Sequence, residues 1–193
     1  EGDYLEFGVF RGETFRNAVR AARQGFRATR HGRFPGRFFA FDSFQGLPRV
    51  ESTSDGNLFA AGDFASSRQQ FERTIAAVRP GSSIEVVGGW FGETLTPEAA
   101  ARLGLQRAAF INIDCDLYES TVPVLEFVTP LLQTGTVLYC DDWFSHRGSA
   151  AHGEARAVRE WLERNPHVRL VEYRHVGITG KMFLVDLDRT ARE

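Results

Sequence analysis

Two acidic pairs, Asp114-Cys115-Asp116 and Asp141-Asp142, each close a short apolar run and carry the strongest chemical signal in the chain. The runs, 109–113 (Ala-Phe-Ile-Asn-Ile) and 136–140 (Thr-Val-Leu-Tyr-Cys), are short and β-prone, as buried parallel strands are. Carboxylates then gather at the carboxyl ends of two strands, the edge at which open α/β sheets bind ligands. So many like charges repel one another unless a hard divalent cation neutralises them, and Mg²⁺ prefers oxygen ligands. An Asp can instead cap the helix that follows its strand, which suits one residue better than a cluster. The acidic set therefore predicts a metal site. His146 and His152 follow it in a loop, where a general base could approach, although loop histidines are usually surface residues and rank below the carboxylates. Glu154 opens a helix and reads as a structural carboxylate at a helix N-terminus.

The elements that must position these residues follow from punctuation and periodicity. Residues 4–7 read as a strand, then a turn bearing Gly8 and Gly12, then a helix over 13–24. Residues 37–41 form a second strand ending at Asp42, and 43–65 look irregular. A helix over 67–78 stops at Pro80-Gly81, a third strand covers 83–87, and Pro97 favours a short helix through 102. The strand that delivers Asp114 is followed by apolar Val122, Leu125, Val128 and Leu132 at helical spacing, with Gly135 as the stop. The strand that delivers Asp141 precedes a helix over 154–164 and two closing strands, 168–173 and 181–187. Strands alternating with helices predict a parallel sheet covered on both faces, and the closing pair predicts an antiparallel hairpin.

A second ligand signal lies at the first turn. Small residues there let a ligand approach the backbone and the helix N-terminus, although an ordinary tight turn uses the same glycines. The third glycine of the dinucleotide fingerprint is missing, which disfavours NAD. Asp42, ending the second strand, is placed to accept from a ribose diol, and Asp42 or Ser43 can equally cap the next turn. Glycine turn and Asp42 together favour an adenosyl cofactor.

The chain has 193 residues, 42% hydrophobic and 25% charged, with a net charge of −2, as one ordinary globular domain has. That charge offers no general attraction to nucleic acid or an anionic membrane, and the arginines between 23 and 37 read as a solvated face. No segment approaches a membrane span. Cys115 and Cys140 lack a disulfide framework, so a cytoplasmic protein with reduced thiols is expected. The chain opens at Glu1 without Met, consistent with a missing N-terminal segment.

The strings 6–9 (Glu-Phe-Gly-Val), 41–48 (Phe-Asp-Ser-Phe-Gln-Gly-Leu-Pro), 89–95 (Gly-Trp-Phe-Gly-Glu-Thr-Leu), 113–121 (Ile-Asp-Cys-Asp-Leu-Tyr-Glu-Ser-Thr) and 141–143 (Asp-Asp-Trp) together resemble the macrocin O-methyltransferase family. Its members are class I S-adenosylmethionine-dependent methyltransferases that act on sugar hydroxyls. The resemblance covers most of the chain. It implies a single Rossmann-like α/β domain over 1–193, with a mostly parallel seven-stranded sheet, helices on both faces and the last strand antiparallel. It also implies Mg²⁺ on Asp114, Asp141 and Asp142, with Asp116 as the spare carboxylate. S-adenosylmethionine would run along Glu6 and Gly8 with its methionine part, meet Asp42 and Ser43 with its ribose, and be flanked at adenine by Gly89, Trp90 and Phe91. Trp90 and Phe91 are equally suited to a core. The implied reaction is in-line methyl transfer to a hydroxyl of a small diol-bearing acceptor, with Asp114, Asp116 or His146 collecting the proton. Family members carry a helical segment ahead of the first strand that helps close the site and form a dimer; the N-terminus is short here, so a homodimer is an open expectation.

Two other readings compete. Asp114-x-Asp116 also resembles the nucleophile motif of haloacid-dehalogenase-type phosphatases, but that motif opens its fold, and those enzymes need a Lys ahead of the later acidic pair, whereas Lys181, the only Lys, follows it. A cofactor-binding protein without turnover is the non-enzymatic alternative.

Overall fold

The apolar runs become seven strands of one sheet: β1 (Asp3–Phe7), β2 (Phe38–Asp42), β3 (Ile84–Gly88), β4 (Ala108–Ile113), β5 (Val137–Cys140), β6 (Val168–Val176) and β7 (Gly180–Leu187). The computed structural model describes residues 1–27, 29, 32, 34–49, 58–78 and 83–188. The Pro80-Gly81 stop, part of the arginine cluster and part of 43–65 lie outside them.

Strand order is β3-β2-β1-β4-β5-β7-β6. The first five are parallel neighbours, and β7 runs antiparallel to both β5 and β6. The chain steps outward from β1 to β3 and returns to the other side of β1 at β4, so the crevice between β1 and β4 is the topological switch point. Every residue of β1 is buried.

Strand alternation sends Leu5, Phe7, Phe39, Phe41, Ile111 and Ile113 to one face, against helices α5 (Tyr118–Val128) and α6 (Gly153–Arg164). Tyr4, Phe38 and Ala40 point to the other, against α1 (Glu13–Arg27) and α2 (Arg68–Ala76). The short helices α3 (Phe91–Thr94) and α4 (Pro97–Arg102) follow β3. Local chemistry starts two of these helices: the Ser67 hydroxyl accepts from Gln70 N–H at 3.1 Å and Thr96 from Ala99 N–H at 3.2 Å, with Pro97 in the first turn of α4.

Several elements differ from the periodicity: α1 runs on to Arg27, and α5 ends at Val128, short of the Gly135 stop, where Pro130 opens a tight 3-10 turn. Helix α5 begins at Tyr118, ahead of Val122, because its first turn is filled by buried polar residues; the Thr121 hydroxyl donates to the Leu117 carbonyl at 2.8 Å. One four-residue turn, α3, is too short to show a period. Strand β6 reaches Val176 because its outer half pairs with β7 while its side chains stay exposed. Both cysteines are free and buried. Among the described residues no helix is long and apolar enough to cross a membrane.

Candidate active site

At the carboxyl ends of β1, β2, β4 and β5 lies a cavity of about 640 Å³, lined on one side by the turns after β1 and β2 and on the other by Asp114, Asp116, Asp141 and Asp142. The two signals of the sequence thus meet in one chamber.

On the first side the polar groups are largely engaged within the protein. The Asp42 carboxylate accepts from Val9 N–H at 2.8 Å, Phe10 N–H at 2.9 Å and Phe44 N–H at 2.7 Å, tying the β1 turn to the β2 turn. Two carboxylate oxygens offer about four acceptor directions, so about one is left for a further donor, and Asp42 lines the cavity. The Ser43 hydroxyl accepts from Gln45 N–H and donates to the Gly46 carbonyl, both at 3.0 Å, and so shapes its own turn.

The glycines have internal reasons too. A Cβ on Gly8 would lie 1.7 Å from the Asp114 carbonyl oxygen, and one on Gly12 would lie 2.6 Å from the Phe71 ring, both at positive φ. Gly8 lines the cavity, whereas Gly12 does not: it is there for the packing of α2, not for a ligand. Gly89 and Trp90 line the cavity after β3. Phe91 does so as well, while meeting the core edge-on through Phe7 at 6.0 Å.

Glu6 is wholly buried and does not line the cavity. Tyr4 donates to its Oε2, while Oε1 has no hydrogen-bond partner among the described residues. Burial pushes its carboxyl up to about 8, with Asp141 and Asp42 adding repulsion. It stands beside the cavity and is not a wall of it.

The acidic side is different. Asp114, Asp141 and Asp142 can each present an oxygen within 4.8 Å of the others, a geometry suited to one metal ion. Burial first, then Asp141 and Glu6, hold Asp114 well above the usual carboxylate range. Asp116, buried at a positive φ of 61°, is pushed up to about 8 by burial and by Asp142 beside it. Asp142 is likewise raised by burial, and the Ser145 hydroxyl, donating at 2.5 Å, opposes the shift. Tyr139 donates to Asp141 Oδ1, and burial with the neighbouring Asp141 raises its phenol. Behind the pair, fully buried Glu154 accepts from Asp142 N–H at 3.0 Å through Oε2, and its own pKa is raised by burial and by Asp142. Five carboxylates thus converge where the sequence showed four. Glu154 acts on the backbone of Asp142.

His146 does not line the cavity. Its ring lies 5.5 Å from that of His152 and 6.2 Å from that of Phe59, and burial followed by His152 lowers its pKa. Sequence reasoning missed Tyr139 and Phe10; the Phe-rich segments 34–44 and 58–71 suit either an apolar pocket or a core, and Phe59 and Phe64 of the second line the cavity beside Phe10. A tyrosine two residues before a strand-end Asp shares its face of the strand, which is the signal for the first.

This strand order, with a cavity over the switch point, defines a Rossmann-like domain. Residues 5–143 match the model of the methyltransferase domain family, and the chain belongs to that family. The 8-demethyl-8-(2,3-dimethoxy-alpha-L-rhamnosyl)-tetracenomycin-C 4'-O-methyltransferase of Streptomyces olivaceus is 32% identical over 154 residues, 74% of this chain and 53% of that protein. The chain therefore spans about half the length of this curated relative. Among solved structures, the O-methyltransferase NovP superposes with a TM-score of 0.67 at 24% identity, over 95% of this chain and 72% of its own. The calicheamicin methyltransferase CalS11 gives 0.71 at 22% identity over the same shares of 95% and 72%. These superpositions show a methyltransferase fold, and neither the strand order nor the family match supports the phosphatase reading.

Proposed function

We propose that the chain transfers the methyl group of S-adenosylmethionine to a hydroxyl of a sugar or other vicinal-diol small molecule, as a Mg²⁺-dependent O-methyltransferase of the macrocin type. The convergence of Asp114, Asp141 and Asp142 across one cavity from the β1 and β2 turns carries this reading. The relative from Streptomyces olivaceus, named for 4'-O-methylation of a rhamnosyl tetracenomycin, points to the same chemistry.

Three hard oxygen donors, crowded enough that the Asp141 charge adds to the raised pKa of Asp114 and of Asp142, fit Mg²⁺. When bound, the ion supplies the positive charge these carboxylates lack and makes a neighbouring alcohol more acidic. Tyr139 and Ser145 orient Asp141 and Asp142 through their hydroxyls, and Glu154 fixes the Asp142 backbone. Asp116 lines the cavity beside Asp142 and collects the proton of the attacking hydroxyl; His146, away from the lining, is the weaker candidate. At the other end Gly8, Asp42, Gly89, Trp90 and Phe91 receive the cofactor, with the open lone pair of Asp42 on the ribose. Ser43 holds the turn. The acceptor oxygen displaces the thioether in line: the new O–C bond forms as the methyl–sulfur bond breaks, and S-adenosylhomocysteine leaves.

Incubating the protein with S-adenosylmethionine and simple glycosides, with Mg²⁺ or with chelator, tests this. Methyl transfer and a Mg²⁺-induced rise in melting temperature are expected, both lost with chelator. Activity and melting temperature indifferent to Mg²⁺ would remove the metal. Binding of S-adenosylhomocysteine without any turnover would favour the non-enzymatic alternative.

A further inference from the structure

Lys181 is the only lysine among the 23 basic residues of the chain, and it is buried. A buried ammonium is costly unless the protein replaces its water. Its ion-pair partner replaces only part: Nζ donates to Glu172 Oε1 at 2.5 Å, but the Glu172 side chain is 70% exposed, so water screens that attraction. Three ring faces supply the rest. Nζ lies 5.4 Å from the Trp143 ring centroid, 5.8 Å from that of Phe144 and 5.2 Å from that of Phe183. A compact ammonium serves three rings at once, whereas a planar guanidinium stacks on one, which accounts for a Lys here in a chain otherwise built on Arg.

Two of those rings belong to the loop that carries half of the acidic wall. Trp143 and Phe144 directly follow Asp141-Asp142, and Lys181 pairs with Cys140, the last residue of β5 before them. The β6–β7 hairpin grips the same two residues at three further points. The Thr179 carbonyl accepts from Phe144 N–H at 2.9 Å, the His175 ring stacks on Phe144 at 5.0 Å and 28°, and Phe183 meets Trp143 at 4.8 Å. The first residue of β7 also makes room for the site: a Cβ on Gly180 would lie 2.5 Å from the Tyr139 hydroxyl that bonds Asp141. Core burial does not explain why the hairpin reaches this far, because residues 171–175 of β6 are exposed. Its outer half works on the loop.

Resting on the Mg²⁺ reading given above, we propose that Lys181 is a positioning residue for the metal: through Trp143 and Phe144, its ammonium holds Asp141 and Asp142 within reach of Asp114. Three roles for this cation give three different signs. As a positioning group, its loss weakens Mg²⁺ binding. As a fixed positive charge near a cation site, its loss strengthens that binding. As core filling alone, its loss lowers stability and leaves Mg²⁺ affinity as it was.

Calorimetric titration of MgCl₂, and separately of S-adenosylhomocysteine, into the wild type, Lys181→Met and Lys181→Arg reads the sign. Met keeps most of the packing and drops the charge. Lys181→Met should weaken Mg²⁺ binding about tenfold, as loss of groups that orient metal ligands does, with S-adenosylhomocysteine affinity changed by less than about twofold. Lys181→Arg keeps a cation on the rings and should stay within about threefold of the wild type. Glu172→Gln, at an exposed position, should change Mg²⁺ affinity by less than about twofold. Phe144→Ala removes one ring together with its His175 contact and should weaken Mg²⁺ about fivefold; it carries the test if Lys181→Met does not fold. Unchanged or tighter Mg²⁺ binding in a folded Lys181→Met protein overturns the proposal. So does an Arg variant as weak as the Met variant, a Phe144→Ala protein with wild-type Mg²⁺ affinity, or an equal loss of S-adenosylhomocysteine affinity, which would mean general loosening. A wild type that binds no Mg²⁺ removes the metal reading and the proposal with it; a wild type that binds Mg²⁺ no better than its variants removes the proposal alone.

Discussion

The two walls of the cavity treat their carboxylates in opposite ways. On the β1–β2 wall, Asp42 sits among three backbone N–H donors, so its charge is solvated by the protein itself. On the β4–β5 wall, Asp114, Asp141 and Asp142 face one another, with Asp116 and Glu154 close enough to add repulsion. The first wall is a preformed cradle, complete before any ligand arrives. The second is complete only when positive charge or protons arrive.

The sharpest way to break this contrast is to remove a charge from the crowded wall. Asp141→Asn should lower Mg²⁺-dependent methyl transfer by more than about 100-fold, since even outer-shell partners of metal ligands are commonly worth 10–100-fold. It should also abolish the rise in melting temperature that Mg²⁺ gives the wild type. S-adenosylhomocysteine affinity should change little, because the cradle wall is intact. Without a metal the sign reverses: relieving repulsion would leave the variant as stable as the wild type or more so, with activity indifferent to Mg²⁺.

Glu6, buried between the walls, gives a pH-dependent version of the test. Its carboxyl lies near 4.5 when unfolded and about 8 when folded. Between these values the unfolded chain releases a proton that the folded chain keeps, so stability is fully present below about pH 4.5 and is lost as pH rises through about 8. Glu6→Gln keeps an acceptor for Tyr4 and has no proton to lose. Its stability relative to the wild type should therefore grow from pH 5 to pH 8, by up to about 4 kcal/mol. Denaturant melts at the two pH values measure this, and parallel pH dependences would mean that Glu6 is ionised in the fold.

On the cradle wall, Asp42→Ala leaves three N–H donors without their acceptor. A loss of about 2–3 kcal/mol in stability and about tenfold in S-adenosylhomocysteine affinity is expected, with Asp42→Asn between the two proteins. Unchanged stability in a folded Asp42→Ala protein would show that water replaces the carboxylate, and that this wall is not preformed.

The contrast between walls was only half legible in the chain. Acidic pairs after apolar runs announce themselves locally, because alternation and strand length fix where a strand ends. Two Tyr-x-carboxylate patterns, Tyr4-x-Glu6 and Tyr139-x-Asp141, carried the strand-face bonds that the structure shows, yet they read as ordinary β residues. The engagement of Asp42 was not legible, since its donors come from a turn 32 and 33 residues earlier in sequence as well as from its own. The aromatic lining by Phe59 and Phe64 was legible only as a Phe-rich segment, 58–71, suited to a pocket or to a core. Residues 58–66 have no period and are fixed by backbone bonds to Leu47 and by the Ser66 hydroxyl on the Phe10 carbonyl, so their ordering is a tertiary fact. The glycines showed where the chain turns and misled about why, since Gly12 answers to Phe71 and not to a ligand.

Ser43 offers the smallest and most discriminating test of the cradle. Its hydroxyl has two candidate roles: closing the turn between β2 and Gly46, as its two bonds at 3.0 Å show, or reaching the ribose. If the turn uses it fully, Ser43→Ala removes one local acceptor and one donor at a partly exposed site, where water can take over. The cost should be about 0.5–1 kcal/mol in denaturant melts, with S-adenosylhomocysteine affinity changed by less than about twofold. If the hydroxyl also serves the cofactor, its loss leaves a ribose hydroxyl unpaired and affinity should fall by about tenfold without a matching loss of stability. That second outcome would mean the cradle keeps polar capacity in reserve for its ligand, and the difference between the two walls would narrow to charge alone.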